Sequence, residues 1–543
     1  MVFARRSTTL LAAIIASCAM VLSLTACTSD NKTVVDGQTT VTSNSAGGVA
    51  VFTPSDGITL NQQTPLNKWA KLMPDLAKAL ADAGFKKGDI DHTTSDSLAK
   101  QSRAIQDFVV DHLSNNTTDD SGIAIAPDNM TLLVAPVVEA DASTRQYGDY
   151  ISQNLSTNDA TDGEATSDGE SSEDDSSKDD SSNTESDSTA SDEQAQAVDR
   201  LVSSLKLAKE SGMHVVLLGN SIEGYKPDAF VKFSDAQTIG KLQAEKMVSK
   251  LKLDKASKDN PKYIEVLLPY TAVDEKGNAN DSTFAQEAFR GIWQVLGSYY
   301  QKGVVESPSG TLDGKSTEND WQAVAYDAAK EGSTAKVLDK RLAKTDGQST
   351  LTRIDGIITM NDYIASEVVK ELDDLGYTGS AADINPQITI SGIVGNITGK
   401  KDLSRDAVPD PIKSPENDNA NDSSSSDDDA DEDTSASDKD RDSQWPLVTG
   451  YGAYVSNIPS IVNGKQWMTG MEDRQTIATD IAQACAKLNK DEALNSMPSI
   501  RNSEVGGVKK IPTISEPLLA VSASNLKSAL IDPGYISLAD AGL

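Results

Sequence analysis

The side chains in this sequence best able to do chemistry stand where apolar runs end. Asp56 and Lys68 follow the run over residues 49–53, and Asn220 follows the run over 215–218. Asn361 and Asp362 close the run over 356–360, and Tyr451 lies between two glycines after the run over 445–449. Carboxylates, amides and lysine are hydrogen-bond partners for hydroxyl groups, and a tyrosine offers an aromatic face or a phenol. This set suits the recognition of a small polar molecule. The Asn361-Asp362 pair is the strongest candidate, and the same pair also suits the N-cap of a helix.

Catalysis has little to work with. Gly219-Asn220-Ser221-Ile222-Glu223-Gly224 misses the Gly-x-Ser-x-Gly spacing of a nucleophile elbow by one residue. His92, His112 and His214 lie in unrelated contexts. Cys485 stands alone on the apolar face of a helical pattern with no nearby His to activate it, so it reads as a small buried residue. No phosphate-binding glycine loop occurs. The acidic run from Asp427 to Asp433 lacks the Gly and terminal Glu of a calcium loop. Neither a catalytic residue nor a metal site nor a cofactor is expected.

The elements that position these residues alternate. A strand over 49–53 precedes a helix carrying Trp69, Leu72, Met73, Leu76 and Leu80 at helical spacing, closed by Gly84. The continuous apolar run over 131–138 reads as a strand covered on both faces. Val198, Leu201, Val202 and Leu205 form a helix stripe before the strand over 215–218. Further on, strands over 263–268, 356–360 and 445–449 alternate with helices over 284–300, 364–375 and 474–488. This alternation predicts an α/β fold of doubly wound parallel sheets, with ligands bound beyond the carboxyl ends of the strands.

Composition narrows the class. The chain has 543 residues, 82 acidic against 49 basic, and a net charge of −33. Such acidity argues against nucleic-acid binding, which needs basic surface. Three cysteines cannot build a disulfide framework. Two stretches hold most of the charge: residues 154–193 carry 14 acidic residues and one Lys, and residues 402–444 carry 15 acidic and four basic. Both are rich in Ser, Asp, Asn and Thr and cannot bury enough apolar surface to order themselves, so they read as disordered acidic inserts.

The N-terminus reads as an address. Arg5 and Arg6 precede an apolar stretch over 10–24 that is too short for a good membrane span. It ends Leu24-Thr25-Ala26-Cys27, which resembles the lipobox of bacterial lipoproteins. That resemblance makes residues 1–26 a signal peptide and Cys27 the lipid-modified first residue. Acyl chains on Cys27 would hold the protein on the membrane. Residues 27–47, rich in Ser, Thr, Asn and Gly, read as a flexible tether.

Local sequences carry a wider resemblance. Lys68-Trp69 opens a helix. Val231-Lys232-Phe233-Ser234-Asp235 is followed by Gly240 and Gln243. Ile357-Ile358-Thr359-Met360-Asn361-Asp362 leads to Leu375-Gly376. Gly464-Lys465-Gln466-Trp467-Met468-Thr469 leads to Glu472-Asp473-Arg474. Gly507-Val508-Lys509-Lys510-Ile511-Pro512 precedes Pro517-Leu518-Leu519. In this order they resemble the xylose-type and multiple-sugar-binding proteins of ABC importers.

The resemblance implies a type I periplasmic-binding-protein fold: two lobes, three interlobe crossovers and hinge closure around a ligand. The crossovers are expected near Phe233, near Tyr451 to Tyr454, and near Gly507 to Pro512. The lobes then comprise residues 48–232 and 233–450, with returns over 451–510 to the first lobe and 511–543 to the second. The resemblance also implies a small-molecule ligand, a sugar first, with an ABC permease as partner. It implies a monomer on the extracytoplasmic face of the cell membrane, with Trp321 as a ligand-facing aromatic. Departures accompany it. Gly219-Asn220-Ser221 replaces the family's Tyr-Asp-Arg, Gly450-Tyr451-Gly452 replaces Gly-Gln-Asp, and Glu472 replaces a Lys. Losing several charge-assisted hydrogen bonds changes the ligand preferred. A surface sensor or interaction lipoprotein on the same fold is therefore the alternative expectation.

Overall fold

The computed structural model describes residues 34–35, 38–39, 46–55, 65–115, 125–138, 144–157, 185–273, 280–343, 350–382 and 444–543. Cys27, Asp56, the signal segment and most of both acidic stretches lie outside the described residues. Residues up to Asn44 form a separate unit, in which Val34–Val35 pairs antiparallel with Gln38–Thr39. All that follows concerns the unit from Ser45 to Leu543.

The first sheet is built from β1 (Gly48–Pro54), β2 (Ile90–Ser95), β3 (Met130–Val134), β4 (His214–Leu218) and β5 (Ala229–Lys232). Helices α1 (Trp69–Asp82), α2 (Leu98–Asn115) and α3 (Glu185–Glu210) alternate with these strands. After β5 the chain enters the second lobe through α4 (Ala236–Leu251). There β6 (Lys262–Val266), α5 (Thr283–Gln301), β7 (Val305–Glu306), α6 (Ser333–Arg341), β8 (Gly356–Ile358), α7 (Asp362–Leu375), β9 (Leu447–Tyr451) and β10 (Met468–Met471) follow. Helix α8 (Arg474–Leu488) and the hairpin of β11 (Ile500–Val505) and β12 (Val508–Ser515) return to the first lobe, and β13 (Leu519–Ser522) to the second.

The first sheet runs β11-β12-β5-β4-β3-β1-β2 and the second β7-β6-β8-β9-β10-β13. Setting the C-terminal hairpin and β13 aside, each sheet has the order 2-1-3-4-5 with parallel neighbours, a doubly wound arrangement. Strands covered on both faces carry near-continuous apolar side chains, as β3 and β4 do. Separate cores form on the two lobes. Trp69, Leu72, Leu76 and Ile481 share one, and Ile264, Phe289, Ile357 and Val448 share another.

The chain changes sheets at residues 233–235, 472–473 and 516–518. The first crossing lies at Phe233 as expected. The second lies one strand later than the expected place near Tyr451 to Tyr454, and the third lies just past the expected Gly507 to Pro512, at the end of β12. The reason is pairing: β9 and β10 both stay in the second sheet, and β12 pairs with β5 of the first before the chain leaves it. The first acidic stretch also contains structure. Asn154–Leu155 pairs with Ser221–Ile222, and α3 begins at Glu185. The buried stripe of Ala197, Val198, Leu201 and Leu205 supplies the packed helix, which then propagates backwards into polar sequence at little cost.

Candidate functional site

The carboxyl ends of the two sheets meet. Leu66 N–H, just before α1, donates to the Gly452 carbonyl beyond β9 at 2.9 Å. Ser234, just past β5, shares a 2.6 Å hydrogen bond with the Tyr451 hydroxyl, and its N–H donates to Glu472 at 2.7 Å. The Ser234 hydroxyl also bonds the Glu472 carboxylate. Within the first lobe, Arg474 at the start of α8 pairs with Asp75 on α1 at 2.5 Å. The two lobes are therefore in contact at these strand ends, beside the first and second crossings.

Between them lies a segment from the loop after β3. Its residues grip both lobes. On the first lobe, Asp149 accepts from the Lys68 ammonium at 2.7 Å and from Trp69 N–H at 3.1 Å. Tyr150 donates to the Lys68 carbonyl at 2.6 Å and stacks on Phe233 at 4.6 Å. Gln153 N–H donates to Asn220 at 2.9 Å. On the second lobe, Tyr454 donates to the Gln146 carbonyl at 2.7 Å, and the Asn361 amide donates to the Gln146 side chain at 3.1 Å. The Tyr147 ring lies 4.7 Å from Phe284 and 6.3 Å from Tyr451, only 1% exposed. Among the described residues its hydroxyl is buried without a well-formed hydrogen bond. Burial pushes that phenol up, and the nearby Asn361 side chain pulls it part of the way back. Gly148 makes the turn between the two grips. It has φ of +98°, and a Cβ there would come within 2.5 Å of the Asn67 carbonyl oxygen.

Several expected site residues are thus brought together, each already engaged. Lys68 is ion-paired to Asp149. Asn220 uses its carbonyl on Gln153 and its amide on the Pro136 carbonyl. Asn361 is both the N-cap of α7, accepting from Ile364 N–H at 2.9 Å, and a partner of Gln146. Asp362 is a latch within the second lobe: it accepts from Tyr454 N–H, Gln466 and Thr469 at 2.7–2.9 Å. The bare Cα of Gly450 makes room for it, since a Cβ there would lie 2.2 Å from its carboxylate. Tyr451 is fully buried against Ser234 and Glu472. Trp321 packs edge-on against Tyr270 at 5.1 Å in the second lobe's core. The strand ending at Asn361 stops at Ile358 rather than Met360. Met360 turns to φ of +67°, a conformation costly for a bulky residue, held here by Gln243 donating to its carbonyl. Cys485 is buried in the first lobe's core, and burial pushes its thiol up.

Gln146, Tyr147, Asp149 and Tyr454 also meet at this junction, and the sequence did not single them out as candidate site residues. A signal existed: Gln146, Tyr147, Asp149 and Tyr150 lie between a strand end and the first acidic stretch, in chain that otherwise carries small and polar residues.

Two buried carboxyls at the lobe junction titrate high. Glu472 is pushed up to about 7 by burial, against the pull of the Ser234 N–H and hydroxyl and the Tyr451 hydroxyl. Asp362 is pushed up to about 6 by burial, against its three donors. Both bind protons more tightly folded than unfolded. Their stabilising share is complete below about pH 4 and is lost as pH rises through about 6 and 7. Each shift corresponds to about 3 kcal/mol. Glu472→Gln removes one of the two titrations. The melting temperature of this variant is expected to exceed the parent's increasingly between pH 5 and pH 8. Parallel melting curves at every pH would show that Glu472 ionises freely in the fold.

No family model matches the sequence, and no curated protein does. Solved structures do. An ABC transporter solute-binding protein from Clostridium phytofermentans with bound β-D-glucose is 17% identical over 91% of this chain and 99% of its own, with a TM-score of 0.44. A carbohydrate transporter solute-binding protein from Chloroflexus aurantiacus in complex with D-glucose is 18% identical over 92% and 98%, with a TM-score of 0.43. A periplasmic ribose ABC transporter protein from Conexibacter woesei is 13% identical over 90% and 96%, with a TM-score of 0.42. The two sheets of this chain share one strand order, and the chain crosses between them three times. Among the described residues no helix is long and apolar enough to cross a membrane.

Proposed function

We propose that this chain is an extracytoplasmic solute-binding protein that captures a small polar ligand, a sugar first, by hinge closure and delivers it to an ABC importer. One observation carries the reading. Two doubly wound lobes meet at the carboxyl ends of their strands, around a junction of amide, phenol, lysine and aromatic side chains. In such sheets ligands bind at those ends, and two lobes joined by three short crossings close by hinge motion. The ordered run of family-like segments in the sequence supports the same reading. We assign Cys27 as the lipid anchor and a permease as the partner on the membrane. A second reading is a surface sensor or interaction lipoprotein that keeps the fold without transport. It is favoured by the engagement of Lys68, Asn220, Asn361 and Tyr451 with the protein's own groups.

The test is a thermal-shift screen of the purified protein over sugars, nucleosides and polyols. Binding to the folded state alone raises stability by about 2.7 kcal/mol at a hundredfold excess over Kd. At least one sugar is expected to raise the melting temperature by several degrees. A screen without any shift would sink the transport reading in favour of the second.

A further inference from the structure

We propose that the segment from Thr144 to Leu155 is a built-in occupant of the interlobe junction: it holds the lobes closed without solute, and a solute enters by displacing Gln146 and Tyr147. The inference rests on the solute-binding reading above and adds its regulation.

Three observations carry it. First, the segment is bivalent. Gln146 and Tyr147 belong to the second lobe's partners, while Asp149, Tyr150 and Gln153 belong to the first lobe's. A ligand that closes a hinge must bind both lobes at once, and this segment does so from within the chain. Second, Tyr147 sits among the second lobe's core residues although its chain hangs from β3 of the first lobe. It presents what a pyranose would present: a six-membered ring between aromatic side chains, with a hydroxyl on its edge near the Asn361 amide. Third, the fit is imperfect. Among the described residues the Tyr147 hydroxyl is buried without a well-formed hydrogen bond. A buried donor left unmade weakens the occupant relative to a solute able to satisfy Asn361 and Tyr454 fully. The segment is therefore displaceable rather than permanent.

Tethered occupancy lowers the apparent affinity for solute by the fraction of molecules whose junction is free. An occupant seated nine-tenths of the time weakens binding by about tenfold. Two variants shift this balance in opposite directions. Gln146→Ala with Tyr147→Ala removes the second-lobe grip. Tyr147→Phe keeps the ring and removes the unsatisfied hydroxyl, so it seats the segment more firmly.

The experiment compares the full chain with both variants by small-angle scattering without solute and by calorimetric titration with D-glucose and D-ribose. The double variant is expected to have a larger radius of gyration and to bind the preferred sugar about tenfold more tightly, and Tyr147→Phe to bind it more weakly. An unchanged radius of gyration in a cooperatively melting double variant would overturn the proposal. So would affinities that move in the same direction in both variants. If the double variant opens and neither sugar binds any form, the built-in occupant stands and the sugar reading falls. If the double variant does not melt cooperatively, Gln146→Ala alone decides by the same scattering measurement. That change removes one side-chain hydrogen bond and no core packing.

Discussion

Asp362→Ala is expected to destabilise the protein by about 3 kcal/mol, whether or not a solute is present. The carboxylate is fully buried and accepts from Tyr454 N–H, Gln466 and Thr469, so the methyl group leaves three buried donors unpaired. Gln466 is itself tied to Asn457, so the loss spreads through one network that positions the loop after β9. Asn361→Ala, by contrast, removes one N-cap bond and one bridge to Gln146, for about 1 kcal/mol. Urea denaturation of the two variants separates the roles. A stability loss below 1 kcal/mol for Asp362→Ala, coupled to abolished solute binding, would move Asp362 from latch to ligand contact.

The largest packing effect is expected at Trp69. Trp69→Ala should cost about 4 kcal/mol, in the range for emptying a buried tryptophan site. The indole is 3% exposed and meets Tyr150 edge-on at 5.1 Å and Phe233 at 5.6 Å, so it supports both the first lobe's core and the segment seated in the junction. Trp69→Phe should lose far less, because an aromatic edge is retained. Chemical denaturation at constant m-value checks the magnitude. A loss of 1 kcal/mol or less for Trp69→Ala would mean that the indole is a junction-rim residue with little packing behind it.

The legible and illegible parts of the molecule divide by the range of the forces involved. The alternation of apolar runs with helical stripes was readable because period 2, period 3.6 and continuous burial are local patterns. The helix over Arg474–Leu488 lies where its periodicity placed it. The N-cap at Asn361 was readable for the same reason, since its bond to Ile364 spans three residues. The place of the second crossing, after β10 and not after β9, was not. Whether the chain leaves a sheet depends on whether the next strand finds a free edge, and β10 finds one beside β9.

The site divides in the same way. Lys68, Asn220, Asn361 and Tyr451 were recognisable as polar or phenolic groups at strand ends, where the fold collects them. Their partners were not recognisable. Lys68 to Asp149 spans 81 residues and Asn361 to Gln146 spans 215, and no local pattern announces either. Glu472 illustrates the point further. In sequence it was only a carboxylate where a lysine was expected. In the structure it is a buried acceptor of Ser234 at the first and second crossings, titrating near neutrality.

The sequence by itself determined the element types, the α/β class, the ends of strands where chemistry collects and the two acidic stretches. All of these follow from composition or from spacing within a few turns. Only the tertiary structure decided what those strand ends touch. Desolvation and hydrogen-bond satisfaction act between groups brought together from distant parts of the chain. They turned Asp362 into a latch and seated Gln146 and Tyr147 between the lobes.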